Sequence, residues 1–543
     1  MGARFDPVGA ARRLRSAADP RTGLALARTG AVTPRRAVAA WCTAPWLVGR
    51  GASLGILSQI NALSAPNRPA VIDGLGTVTW REVDERSSRL ARALRELGAG
   101  PDDTVATLVR NGREAVEAVF AAQKLGVTVA PLNTWGREPE LAALLDRLRP
   151  RVLIADPRHA EPIAASIPRS TALVTVGEGY EQLIASQPPA PLFPLAIPRR
   201  HGRIVIHTSG TTGTPKAAAR SARSSGPLAI AGLLATVPLR RSDVVYLPAP
   251  LFHSFGLLTL SLGSALGATF VLPDRFDAEE SLALMVEHRA TVAAFVPVML
   301  RRILDLPRSR RKPRPAALRA VLASGSSISP DMRREVKRFF GDVLYDLYGS
   351  TEGGWVAVAT PSDMAADVRT AGRPVRGVEV AVFDEEGGRL PPGGHGVLHV
   401  RSDALFEGYQ SGESTAERDG FLSMGDMGWL EADGRLFVEG RADDMVVVGG
   451  ENVDPAEVEQ AISRVRGVDD VAVVGVPDRQ YGHVLAAFVV GSASPQAIEA
   501  AAKRDLASFK VPRTIEVVDE LPRTSTGKIL RRELGERLER SSA

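Results

Sequence analysis

The sequence predicts an α/β protein: a large N-terminal domain of two βαβ-type subdomains with a small β-barrel-like subdomain, followed by a small α+β C-terminal domain. The first observation is a rhythm that starts near residue 66. Residues 105–109 read as strand, 114–124 as helix and 127–132 as strand, the alternation that builds βαβ units. Further strands follow at 152–154, 204–206, 244–247, 269–272 and 292–296, with a helix at 281–289 between the last two. The second observation is a change of texture after about residue 370. Short alternating runs at 378–382 and 397–400, separated by turns, suggest a small antiparallel or barrel-like unit. A final α+β unit begins near Asp443. These changes divide the chain into an Arg-rich extension (1–60), a large domain (61–442) and a C-terminal domain (443–543). No internal repeat is evident.

At 543 residues the chain exceeds what one core serves, so at least two domains are expected. A hydrophobic fraction of 44% and a charged fraction of 24% exclude wholesale disorder. The net charge of +5 suits an anionic ligand such as a nucleotide, but over this length it does not point to nucleic acid. The single cysteine, Cys42, excludes a disulfide framework and any multi-cysteine metal site, which fits a reducing, cytoplasmic setting. It lies far from every motif below and reads as structural. No apolar run reaches membrane-spanning length, so membrane contact is at most peripheral. Lysines are rare, at 124, 216, 312, 337, 503, 510 and 528 only, so a lysine inside a motif is a chemical choice.

The first sixty residues carry many arginines and few acids, with Trp41 and Trp46 close together. Such a start resembles a transit peptide, an amphipathic membrane-touching surface, or a helical cover packed on the main domain. The cover is the favoured reading.

The run Ile204-Val205-Ile206-His207 reads as a buried strand entering Thr208-Ser209-Gly210-Thr211-Thr212-Gly213-Thr214-Pro215-Lys216. Glycines let the backbone turn its amides onto an anion, hydroxyls add donors, and the lysine adds a mobile charge. The segment therefore reads as a polyphosphate grip. It is not a Walker loop, because Pro215 occupies the lysine position that spacing from Gly210 would demand.

This segment resembles the phosphate-binding loop of the acyl-adenylate-forming superfamily, which includes acyl-CoA synthetases, peptide-synthetase adenylation domains and firefly luciferases. Other motifs match in family order: Pro250-Leu251-Phe252-His253-Ser254-Phe255-Gly256, Tyr348-Gly349-Ser350-Thr351-Glu352, Ser423-Met424-Gly425-Asp426, Gly440-Arg441-Ala442-Asp443-Asp444, Gly449-Gly450-Glu451-Asn452 and Pro522-Arg523-Thr524-Ser525-Thr526-Gly527-Lys528. The resemblance spans residues 65–537. It implies an ATP-binding surface made of Thr208, Ser209, Gly210, Thr211, Thr212, Gly213, Lys216, Gly325, Ser326, Tyr348, Gly349, Ser350, Thr351, Asp426, Arg441 and Lys528. Glu352, with Thr351 beside it, offers hard oxygen for Mg²⁺. Tyr348 suits stacking on adenine, and the Asp426 carboxylate suits the two ribose hydroxyls. Met424 stands where many relatives carry a threonine or serine. Thr208, Lys216, Glu352 and Lys528 are the candidate catalytic residues, and Lys528 would face the charge that builds on the α-phosphate.

The resemblance further implies a mobile C-terminal domain that rotates about Asp443. Gly449, Gly450 and Glu451 would then line a pantetheine tunnel, with coenzyme A as co-substrate. His253, Ser324, Gly325 and Gly349 would border an acyl pocket. Amino-acid-adenylating relatives place an aspartate after the phenylalanine matching Phe252; His253 there disfavours an amino acid. Nothing charged occurs in the Leu322-Ala323-Ser324-Gly325-Ser326-Ser327 or Tyr348-Gly349 segments, so a hydrophobic carboxylic acid is favoured, a fatty acid or a bulky cyclic, terpenoid-like one. The arginine-rich segment at 308–314 reads as a solvated basic loop. The expectation is thus an AMP-forming acyl-CoA synthetase. Its rivals are transfer to a carrier-protein phosphopantetheine, a luciferase-like oxygenase, and a non-catalytic scaffold or membrane-docking protein. Monomer and homodimer both remain open.

Overall fold

The computed structural model describes residues 27–43, 53–189, 202–208, 216–221, 227–307, 310, 315–350, 353–384, 386–402, 417–441, 445–522 and 529–542; for residues 208, 216–221, 227–230, 441, 532 and 539–542 it describes the backbone alone. Runs of Val, Ile, Ala and Phe such as Val292–Phe295 and Ala320–Ala323 are buried along their whole length, as strands covered on both faces must be. Among the described residues they form the middle of a nine-stranded sheet. Its order is Arg373–Pro374, Gly354–Ala359, Leu344–Ser350, Ala320–Ala323, Val292–Phe295, Val244–Tyr246, Thr269–Val271, Pro69–Asp73 and Gly76–Thr79. The centre is parallel and both edges close with antiparallel strands.

A second sheet runs Ala172–Thr175, Val152–Ala155, Thr104–Leu108, Thr128–Pro131, Arg203–Thr208 and Lys216–Ser221. It is parallel except for its last pair. The helices Trp80–Glu96, Arg113–Leu125 and Leu54–Ser64 bury Trp80, Leu90, Leu94, Phe120 and Leu57 in the core that joins the two sheets. These sheets are the two βαβ-type subdomains that the sequence predicts. The antiparallel unit is also present: Val378–Phe383, Gly396–Ser402, Phe421–Leu430 and Leu436–Arg441 pair in a meander, with Glu417–Arg418 beside Phe421–Leu430. The C-terminal domain builds a sheet of its own from Val446–Val448, Glu451–Val453, Val468–Asp478, Gly482–Gly491 and Thr514–Val517. Its separate core centres on Val473, Leu485, Val489 and Ile462.

One strand departs from the sequence reading. Lys216 was expected to close a loop, yet Lys216–Ser221 returns antiparallel to Arg203–Thr208, with Thr208 opposite Lys216. The run Lys-Ala-Ala-Ala-Arg-Ser has no β-branched residue, so local propensity gives no strand signal; pairing with a strong neighbour supplies it.

The described part of the N-terminal extension packs on the large domain. Helix Pro34–Cys42, capped by Thr33, buries Arg36 and Ala39. The Arg36 guanidinium donates to Leu266 O (2.7 Å), Ala265 O (2.6 Å) and Asn61 Oδ1 (3.0 Å). Two of these acceptors are the last carbonyls of helix Ser254–Leu266, groups that have no partner within their own helix and carry the negative end of its dipole. Burial, reinforced by Arg241 and Arg68, lowers the Arg36 pKa to about 10, so it stays charged at neutral pH. Cys42, expected to be structural, has its side chain exposed at the end of this helix and contributes nothing to the core. Among the described residues no helix is long and apolar enough to cross a membrane.

Replacing Arg36 with Met keeps much of the side-chain volume but strips partners from buried carbonyls, at a cost of about 2 kcal/mol. Scanning calorimetry is expected to show a lower unfolding midpoint for Arg36→Met. Arg36→Lys should recover only part of the loss, because an ammonium cannot reproduce the planar fork.

Candidate active site

The parallel strands of the nine-stranded sheet deliver their carboxyl ends to one edge of the large domain, the usual location of ligands in such sheets. Ala320–Ala323 leads into Ser324, Gly325 and Ser326; Leu344–Ser350 carries Tyr348, Gly349 and Ser350 at its end; and the segment after Val244–Tyr246 leads to Phe252 and His253. Ser324 is held by its hydroxyl, which donates to Leu347 O at 2.8 Å. Gly349 sits against the backbone of Gly354 and Trp355, so closely that a Cβ there would overlap the Gly354 carbonyl. The close packing against Gly354 requires glycine at this position.

Asp426 arrives from the antiparallel unit, and its carboxylate accepts the Tyr348 hydroxyl at 2.6 Å. It is 8% exposed. The bond ties the phenol ring to the antiparallel unit. Asp426 also pairs through its backbone with Arg441 in the neighbouring strand. Met424 is buried, its sulfur 4.0 Å from the Ser350 hydroxyl, and that hydroxyl accepts the Gly353 amide at 2.8 Å. At residue 424 the site is therefore an apolar wall.

The C-terminal domain reaches this edge through a tight hairpin. Val446–Val448 pairs with Glu451–Val453, and the two residues between, Gly449 and Gly450, have φ of +61° and +100°. A two-residue turn with two positive φ angles favours glycine at both places. Gly450 lies against Gly325, itself at φ +100°, and a Cβ on Gly325 would stand 3.7 Å from the Gly450 Cα and 3.4 Å from Val296 Cγ1. Beside this contact His253 Nε2 lies 2.7 Å from Glu451 Oε1. Burial acts to lower the His253 pKa, but the Glu451 carboxylate outweighs it and the pKa is raised.

A cavity of about 530 Å³ opens where the two domains meet. Its walls include Trp135, Phe252, Val296 and Met299 on one side and Gly449, Tyr481 and Phe509 on the other. Four arginines line it, Arg110, Arg275, Arg302 and Arg513, against the carboxylates of Asp274 and Glu451. The lining thus carries more positive than negative side chains.

Several candidates lie outside the described residues: Ser209, Gly210, Thr211, Thr212, Gly213, Thr351, Glu352, Asp443 and Lys528, and with them the two candidate magnesium ligands. Thr208, Lys216 and Arg441 are placed by backbone pairing. His207, one residue before the candidate phosphate grip, is driven down to a pKa of about 4 by burial and by Arg147 nearby, so its ring is neutral there. The sequence reading missed Asn111, whose amide donates to Leu247 O (3.2 Å) and Ala249 O (2.9 Å) and whose carbonyl accepts from the Leu251 amide (2.9 Å). It holds the segment that presents Phe252 and His253. The available signal was an Asn-Gly pair just beyond a predicted strand.

The comparisons agree with this architecture. The model of the AMP-binding enzyme family matches residues 59–410, and that of the AMP-binding enzyme C-terminal domain matches 457–528. The chain is 33% identical over 506 residues to a fatty acid–[acyl-carrier-protein] ligase, ScoC, of Streptomyces coeruleorubidus, covering 90% of this chain and 96% of that one. It is also 33% identical over 500 residues to a feruloyl-CoA synthase of an Amycolatopsis species, covering 90% and 99%. Among solved structures, the amide bond synthetase McbA of Marinactinospora thermotolerans superposes with a TM-score of 0.80 at 29% identity, over 87% of this chain and 97% of that one. Both family models fall, in order, on the two domains that form the junction described above, and the chain belongs to the AMP-binding enzyme family, the acyl-adenylate-forming ligases.

Proposed function

We propose that this enzyme is an AMP-forming acyl-CoA synthetase acting on a hydrophobic carboxylic acid. The observation that carries the reading is the glycine hairpin of the C-terminal domain pressed against Gly325 beside an arginine-lined slot. A thiol at the end of a thin arm would meet an acyl-adenylate at that point. The Tyr348–Asp426 pair suits the nucleoside: the ring offers a face for adenine and the carboxylate accepts ribose hydroxyls. Phe252, Val296 and Met299 in the cavity wall favour an apolar acyl group.

In the first half-reaction the substrate carboxylate attacks the α-phosphate of ATP and pyrophosphate leaves. Lys528 would offset the charge growing on that phosphate, and the loop at 208–216 would hold the departing phosphates through backbone amides, hydroxyls and Lys216. Magnesium bound by Glu352 and Thr351 would neutralise phosphate charge. In the second half-reaction the thiol attacks the acyl carbonyl and AMP leaves. No enzyme nucleophile is required; positioning and electrostatics do the work. Four arginines against two carboxylates in the slot favour free coenzyme A, whose nucleotide end is strongly anionic. A carrier-protein phosphopantetheine is the second reading, favoured by the similarity to ScoC.

Purified protein incubated with ATP, Mg²⁺ and a panel of fatty, aromatic and polycyclic acids is expected to yield acyl-CoA when coenzyme A is present, detected by mass spectrometry. Acyl-AMP without acyl-CoA would favour the carrier protein, or an amine acceptor if an amide forms instead. Lys528→Ala is expected to abolish adenylation while leaving thioester formation from supplied acyl-AMP; equal loss of both would refute that division of labour.

The His253–Glu451 pair makes docking pH-dependent. A raised histidine pKa contributes stability that is fully present below the unfolded value of about 6.5 and is lost as pH rises through the folded value. With Glu451→Gln the carboxylate is gone and burial acts alone. The His253 ring, followed by NMR, is then expected to titrate at lower pH than in the parent enzyme; an unchanged midpoint would break the assignment.

A further inference from the structure

A buried lysine sits at the same domain junction, away from the glycine hairpin, and nothing in the chemistry above uses it. Lys510 ends the single turn Ser508–Lys510 of the C-terminal domain and is only 9% exposed. Its ammonium lies 2.7 Å from Glu457 Oε1 and 2.6 Å from Glu140 Oε1. Glu457 belongs to helix Pro455–Ser463 of the same domain, whereas Glu140 belongs to helix Glu138–Leu148 of the large domain. The two contacts differ in kind. Rotation of the C-terminal domain carries the Lys510–Glu457 pair along intact but must break Lys510–Glu140. Neighbouring Phe509 meets Trp135 edge-on, ring centroids 6.4 Å apart, in the wall of the slot. The ion pair is thus coupled to the alignment of that wall.

Electrostatics fit a contact that forms and breaks. Burial lowers the Lys510 pKa, but Glu457 and Glu140 together outweigh it and the pKa is raised, so the lysine is charged throughout. Once released, Glu140 returns to the exposed first turn of its helix, where its other oxygen accepts the Arg137 amide (3.0 Å) and a negative charge is favoured. Glu457 keeps the ammonium partly compensated in either arrangement. Neither partner is stranded as an unpaired buried charge, which would cost several kcal/mol.

We propose that the Lys510–Glu140 ion pair is a positioning latch, one that selectively stabilises the docked arrangement in which the glycine hairpin faces the adenylate, with Glu457 holding Lys510 extended toward its partner. The inference rests on thioester formation as the second half-reaction. It predicts an asymmetric effect, because an interaction made in only one arrangement shifts the population toward it and leaves the other untouched.

The test uses the full chain with Glu140→Gln, which keeps an acceptor for the Arg137 amide while removing the charge, and Glu138→Gln as a control that removes an exposed charge from the same helix turn. Adenylation is read by ATP–pyrophosphate exchange, and thioester formation by single turnover from preformed acyl-AMP and coenzyme A. Glu140→Gln is expected to leave exchange within about twofold and to slow thioester formation by at least about tenfold; Glu138→Gln should change neither. Spin labels at Ala185→Cys and Gln496→Cys, in a Cys42→Ser background, report the interdomain distance, which is expected to broaden or shift with Glu140→Gln. Equal loss in both half-reactions, or an unchanged rate and distance, overturns the latch. If the parent enzyme makes acyl-AMP but no thioester, the proposed function fails while the distance measurement still decides the latch.

Discussion

Backbones from two different domains face one another at Gly325 and Gly450, with little more than the width of a methyl group between them, and much else in the structure is arranged around that meeting. A Cβ at either position would make only ordinary van der Waals contacts, so it is the left-handed backbone, φ +100° at both, that disfavours a side chain there. Because Gly325 terminates a parallel strand and Gly450 turns a two-residue hairpin, both already sit at positive φ, a conformation glycine adopts without cost. The turning of each backbone, not crowding, calls for that residue type. Without side chains the contact contributes little cohesion, so its strength must come from the groups around it. The His253–Glu451 pair adjoins it, and Lys510–Glu140 and Trp135–Phe509 lie elsewhere along the junction.

The large domain is organised to hold its half of this junction still. His253 precedes helix Ser254–Leu266, and Arg36 from the N-terminal extension binds the carbonyls at that helix's other end. Asn111 ties down the segment before Phe252. A residue that faces the C-terminal domain is therefore anchored from two sides by groups that never meet it. Tyr348 is treated in the same way: Asp426, contributed by another subdomain, fixes its hydroxyl, so the separation between the nine-stranded sheet and the antiparallel meander is tied to the geometry of the proposed nucleoside surface.

Much of this was legible in the sequence because the signals were local. Buried parallel strands read as unbroken apolar runs, as at Val292–Phe295 and Ala320–Ala323, and the meander read as alternation. The glycines at 449 and 450 and the pair Tyr348 and Asp426 stood out as motif residues. What escaped notice was non-local. Lys216–Ser221 becomes a strand because Arg203–Thr208 lies alongside it, a fact that its alanines do not encode. Asn111, Lys510 and Glu140 are ordinary residues in ordinary surroundings; their roles arise only when elements 140 to 370 residues apart in the chain are brought together. Cys42 reads as structural because no motif surrounds it, yet its side chain is exposed, since distance from a site carries no information about packing.

The charged pairs at the junction suit the proposed motion, in which the C-terminal domain leaves as readily as it docks. A junction sealed by large apolar side chains would bind tightly and release slowly, in the manner of a permanent subunit contact. Here apolar contacts such as Trp135–Phe509 are joined by charge paired with charge, at His253–Glu451 and Lys510–Glu140. Charged groups that separate regain their hydration, so breaking the pairs returns much of what docking supplied and the two arrangements can stay close in free energy. The bonds are still directional, and a 2.6 Å contact between Lys510 and Glu140 specifies orientation in a way that an apolar patch cannot. Directional ion pairs of this kind favour accuracy over strength, the balance that the proposed alternation between two arrangements would require.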